Sequence, residues 1–127
     1  MRHDLLADVL SAMTSAVKSG KNELSLNFNS KLAMKVLDIF KKEGFIQDYC
    51  ALPEIKGLKI TLNGKLNKCN AIKPRFSAKK DEIEKFEKRY LPAKDFGCII
   101  LSTNQGLITH YQLKEKKLGG RLIAYVY

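Results

Sequence analysis

Apolar residues recur at Leu5, Leu6, Val9, Leu10, Met13 and Val17, a spacing that lays one wide stripe along a helix. Asp4 is placed to cap its start, and Gly20 to stop it. Leu24, Leu26 and Phe28 then alternate with Ser25 and Asn27, which predicts a half-buried strand. Asn29 and Ser30 offer the next cap. The helix they open runs over about residues 31–43, turns Leu32, Val36, Leu37, Ile39 and Phe40 inward, and ends at Gly44. Residues 45–50 read as a strand. After a loop at Pro53, Leu58, Ile60 and Leu62 alternate with Lys59 and Thr61 in another. The order αβαββ, closed by the turn signal Asn63-Gly64, makes residues 1–64 one small unit.

The pattern weakens over residues 64–70, which read as a polar linker. Residues 71–76 are short and basic, with Pro74 restricting the backbone. Residues 79–90 are highly charged, yet Ile83, Phe86 and Tyr90 fall at helical spacing, so a short, mostly exposed helix or turn is expected there. Gly97 opens an apolar run, residues 98–101, long enough for a buried strand. The run breaks into Ser102 and Thr103, followed by the turn chemistry of Asn104, Gln105 and Gly106. Thr109 and Gln112 match a capping box, so a short helix should reach about Lys117 and be stopped by Gly119 and Gly120. Leu122, Ile123, Ala124, Val126 and Tyr127 make a last strand. The fold class expected is α+β, with an αβαββ unit at 1–64 and a β-rich unit at 71–127 carrying one or two short helices.

Charge changes the picture more than size does. The 127 residues suit one compact domain or two small ones, and 45% hydrophobic residues is ordinary for a folded chain. Lysine and arginine number 23 against 13 aspartates and glutamates, for a net charge of +10. Such a surplus is favoured beside polyanions; a membrane-surface protein or a lysine-rich solubility face would share it. No apolar run approaches the ~20 residues of a membrane span, and residues 1–7 hold no continuous apolar core, so neither a span nor a signal peptide is expected. Cys50, Cys69 and Cys98 are an odd, widely spaced set, which argues against a disulfide framework or zinc ribbon and for the reducing cytoplasm.

No phosphate loop, dinucleotide fingerprint or His-Glu-x-x-His motif is present, so catalytic residues, metals and cofactors are not expected. His110, at the first turn of a helix, reads as a surface residue; a small hydrolytic enzyme built on it is the alternative, and lacks partner residues. Asp81, Glu82, Glu84 and Glu87 interleave with lysines and arginine as a solvated helix face. The basic residues say more. Lys31 and Lys35 start the second helix, Lys73, Arg75, Lys79 and Lys80 flank Phe76, and Lys114, Lys116, Lys117 and Arg121 surround the last helix. Brought to one side, they would form a phosphate-contacting belt around the 102–106 tip; otherwise they cover an ordinary surface and the tip is an ordinary hairpin. The net surplus favours nucleic acid. A polar cluster on a strand end and loop, without a base-reading helix, favours a reader of RNA shape over a reader of duplex DNA.

The stretch Gly97-x-x-Ile-Leu-Ser-Thr-x-x-Gly-Leu-Ile108, followed by Gly119-Gly-Arg-Leu-Ile-Ala-Tyr-Val-Tyr127, resembles the family of the eighth protein of the small ribosomal subunit. The Asp4-Leu-Leu-Ala start, Ser30-Lys31-Leu32 and Glu43-Gly44-Phe45-Ile46 extend the resemblance over nearly the whole chain. Ile72-Lys-Pro-Arg75, Lys88-Arg-Tyr-Leu-Pro92 and Arg121 resemble its archaeal and eukaryotic branch. The resemblance implies a two-part protein of the cytoplasmic ribosome that binds the central domain of small-subunit ribosomal RNA early in assembly, beside neighbouring small-subunit proteins and with no membrane role. Members also repress translation by binding their own messenger RNA, an alternative that uses the same surface. It further implies that the Ser102-Thr103 loop meets the RNA's irregular core, while Asp4 and Lys31 hold the backbone of the same helix. With the belt residues, the expected RNA contacts are Asp4, Ser30, Lys31, Lys73, Arg75, Ser102, Thr103, Asn104, Gln105, Gly106, Thr109, His110, Gly119, Gly120 and Arg121. Leu113 and Gln105 depart from the usual alanine or glycine and lysine of the family.

Overall fold

A computed structural model describes residues 5–55, 57–73, 75–93 and 96–127. Asp4, expected to cap the first helix, and Pro74 lie outside the described residues. The fold is α+β, with two antiparallel sheets and four α-helices among the described residues. By its internal contacts the chain divides into two units, residues 1–70 and 71–127.

In the first unit, α1 (Leu5–Lys18) buries Leu6, Val9, Leu10 and Met13 of the expected stripe, together with Ala16; Leu5 and Val17, also expected inward, are half-buried. After β1 (Glu23–Leu26), α2 (Lys31–Lys42) is capped by Ser30, whose Oγ accepts from the Ala33 N–H at 3.0 Å. It buries Ala33, Val36, Leu37 and Phe40; Leu32 and Ile39, expected inward, are half-buried. Next come β2 (Ile46–Leu52) and β3 (Gly57–Leu62), and the sheet order is β1-β3-β2. The central strand β3 buries Leu58, Ile60 and Leu62. Phe28 and Phe45 fall just outside the strands expected to hold them.

Residues 64–70 are not a plain linker. Leu66 and Cys69 are buried, and the Cys69 N–H donates to Thr14 Oγ1 at 3.2 Å while that hydroxyl donates to the Cys69 carbonyl at 2.8 Å. Two isolated apolar residues leave no period to read, so the sequence hides this anchorage. Burial pushes the Cys69 thiol up to about 12. A thiol held neutral is a poor nucleophile. Iodoacetamide at about pH 8 should therefore label exposed Cys50 in the native protein and spare buried Cys69 and Cys98 until the chain is unfolded. Mass spectrometry of the labelled peptides checks this, and labelling of Cys69 as fast as Cys50 contradicts it.

The second sheet has the order β4-β8-β6-β7, with β5 also on β8. Its strands are β4 (Cys69–Ala71), β5 (Ser77–Lys79), β6 (Cys98–Thr103), β7 (Gly106–Thr109) and β8 (Gly119–Val126). The helices α3 (Ile83–Tyr90) and α4 (His110–Lys116) contribute Ile83, Phe86 and Leu113 to a core shared with Ile99, Leu101, Ile108 and Leu122 of the sheet. The capping box at Thr109 and Gln112 is formed. Gly119 and Gly120 do not stop α4; they begin β8, and Lys117 ends the helix in the left-handed region at φ +55°. Gly120 is needed because the strands approach closely there: an added Cβ would sit 2.9 Å from both the Ser102 carbonyl oxygen and Thr103 Cγ2.

Candidate nucleic-acid interface

The end of the second sheet is built by strand register. Ser102 of β6 pairs with Leu107 of β7 on one side and with Arg121 of β8 on the other, and Arg121 pairs in turn with Ser77 of β5. Directly opposed residues share a sheet face, with Cβ atoms about 4.5–5.5 Å apart. Ser77, Arg121, Ser102 and Leu107 thus form one row. Their neighbours Leu101, Ile108 and Leu122 point the other way into the core. Ser77 and Arg121 are exposed, and Ser102 and Leu107 are half-buried. Lys79, opposite Gly119, continues the row's face toward a hollow lined by Lys79, Lys80, Asp81, Lys117, Leu118 and Gly119.

The tip is a tight two-residue turn, Asn104-Gln105, with both residues exposed. Thr103 closes it. Its hydroxyl donates to the Gly106 carbonyl at 2.9 Å and accepts from the Gln105 N–H at 3.1 Å. The single hydroxyl proton of Thr103 is therefore committed, and only acceptor capacity is left for a ligand. Ser102, by contrast, makes no side-chain hydrogen bond among the described residues, so its hydroxyl is free to donate and accept. Both were expected to meet RNA; Ser102 keeps its whole hydroxyl for that, whereas Thr103 also braces the turn.

Thr109 and His110 were also expected at the surface and are not there. Thr109 is 3% exposed and caps α4; His110 is 1% exposed. The His110 Nδ1 accepts from the Ile99 N–H at 3.0 Å, and Nε2 lies 3.5 Å from Glu87 Oε1. Sealed side chains cannot touch RNA, and a general base needs a reachable nitrogen, so the contact role of both residues and the hydrolytic reading of His110 are withdrawn. Glu87 itself departs from the solvated face expected of it: it is buried and pairs with Lys114 of α4 as well as facing His110. That pair draws Lys114 from the expected belt.

Lys73 and Arg75 are exposed on a segment pinned along β8, since the Ile72 N–H donates to the Ile123 carbonyl at 2.9 Å and the Phe76 carbonyl accepts from the Leu122 N–H at 2.8 Å. Lys73, Arg75, Ser102, Asn104, Gln105, Gly106, Gly119, Gly120 and Arg121 all belong to the second unit. Ser30 and Lys31 stand at the start of α2 in the first, beside a hollow lined also by Asn29, Met34 and Pro53. Ser77 was missed from the sequence because its strand is three residues long with one apolar position.

The profile of the family described as ribosomal protein S8 matches residues 4–127. The small ribosomal subunit protein uS8 of Nanoarchaeum equitans is 46% identical over 129 residues, covering 100% of both chains. Its counterpart from Methanoregula boonei is 43% identical, covering 99% of this chain and 98% of its own. That of Thermoplasma volcanium is 40% identical over 100% of both.

Proposed function

The chain belongs to the ribosomal protein S8 family, and from that premise we propose that it is a structural protein of the small ribosomal subunit, working in the cytoplasm, that binds small-subunit ribosomal RNA directly. The proposed target is an irregular helix of the central domain, bound early in assembly and beside neighbouring small-subunit proteins. A messenger RNA folded into the same shape would be held by the same residues. Two RNA-contacting parts are proposed, residues 1–64 and 71–127.

One observation carries the reading: Arg121 is flanked across the sheet by Ser77 and by the uncommitted hydroxyl of Ser102. A guanidinium can hold a phosphate in a two-pronged contact, while serine hydroxyls suit ribose hydroxyls and base edges. Arg121, Lys73, Arg75 and Lys31 displace counterions and supply affinity; Asn104, Gln105 and the Gly106 backbone fit the groove beside Ser102.

Filter binding with a central-domain RNA helix and a random duplex of equal length tests it. Ser102→Ala should weaken the specific helix by about 2- to 12-fold, the worth of one net hydrogen bond, and leave the random duplex nearly unchanged. Arg121→Ala should weaken both and lower the salt slope by about one phosphate contact. Equal loss on both RNAs for Ser102→Ala rejects the shape-reading role.

A further inference from the structure

We propose that residues 71–127 carry a second RNA surface, on the opposite side of the sheet from Ser102: a stacking platform of Tyr90, Tyr125 and Tyr127, edged by Arg89, that takes unpaired nucleotides. It extends the RNA-binding reading, and its rings and Arg89 are not among the residues assigned to the first surface. The rings form a ladder. Tyr90 and Tyr125 lie 5.4 Å apart at 26°, and Tyr125 and Tyr127 lie 6.3 Å apart at 14°. All three are half-buried and pack against the core.

A bulge aims the middle rung. Leu101 pairs with Leu122 and Ile100 with Ala124, so Ile123 is an extra residue in β8. Tyr125 therefore pairs with Ile99 on the core face, where α3 packs, although it stands three places beyond Leu122. In an unbroken alternation it would face the other way.

Cations interleave with the rings. The Arg89 guanidinium lies 5.6 Å from the Tyr90 centroid and 5.4 Å from that of Phe76. Phe76 stacks on Phe86 at 5.7 Å, and the Lys85 ammonium lies 5.3 Å over Phe86. The helix's Glu84 lines a different hollow, with Lys88, Leu91 and Pro92. Aromatic faces with fixed positive charge beside them suit bases that stack and phosphates that neutralise. An apolar protein partner would instead strip water from Arg89 and Lys85 without pairing them, which is unfavourable.

Fluorescence anisotropy of the full chain with a labelled single-stranded oligo(A) of about ten nucleotides, run beside the central-domain helix, tests the platform. Tyr127→Ala should weaken oligo(A) by about 5- to 160-fold, the worth of one stacked base, Arg89→Ala should weaken it in the same direction, and both should leave the folded helix within about 2-fold. Tyr127→Phe, which keeps the ring, should bind as the native protein does. Ser102→Ala should leave oligo(A) unaffected, so its behaviour on the folded helix bears on the first surface alone. Ultraviolet crosslinking of the native chain to oligo(U) should mark Tyr127 or Tyr125, and decides the matter if a variant is misfolded. Native oligo(A) affinity in Tyr127→Ala, or crosslinks confined to other residues, overturns the proposal and leaves the ladder to a protein neighbour.

Discussion

Gly97→Ala is expected to lower the stability of the second unit by about 3–5 kcal/mol. Gly97 precedes β6 with φ at +90°, a region that side-chain-bearing residues enter only under strain. Space is the second obstacle. A Cβ there would lie 2.5 Å from the Val126 carbonyl oxygen and 2.7 Å from Tyr127 Cβ, and backbone cannot step aside as a flexible side-chain end can. The Gly97 carbonyl also accepts from the Tyr111 hydroxyl at 2.7 Å, so any shift loosens α4. Urea melts followed by near-ultraviolet tyrosine dichroism should show a lower midpoint at unchanged slope. A loss below about 1 kcal/mol would mean the strand end yields easily, contrary to this account.

His110→Ala is expected to cost about 3–4 kcal/mol. It leaves the Ile99 N–H without its acceptor inside the core, removes a ring from a fully buried site, and deprives Glu87 of a polar neighbour. His110→Asn should recover about 1–2 kcal/mol of that, because its amide oxygen can stand where Nδ1 accepts from Ile99. Equal destabilisation by the two variants in the same melts would show that ring volume, not the hydrogen bond, matters. The residue ties α4 to β6, and β6 presents Ser102, so RNA binding by the alanine variant should fail only where the fold does.

Long periodic segments were legible in the sequence. The stripe of α1, the cap at Ser30 and the reciprocal box at Thr109 and Gln112 act within a few residues of themselves, so local pattern sufficed. Contacts set by distant partners were not. Nothing near Glu87 announces that His110 and Lys114 will enclose it, and in a run of alternating charges its burial looks improbable. The strand at 77–79 exists because β8 is there to pair with it. The glycine pair read as a helix stop because glycine is ambiguous between a chain reversal and a tight strand crossing. Of the interface, Ser102 and Arg121 were visible as types, but their adjacency, with Ser77 beyond, came only from register.

The brace at Thr103 bears on how the hairpin would meet the RNA proposed for it. With the turn already tied by its own hydroxyl, the tip is preorganised, and docking removes little chain entropy. Recognition can then proceed as rigid-body fit, with discrimination resting on shape mismatch rather than on a loop that remoulds itself to each sequence.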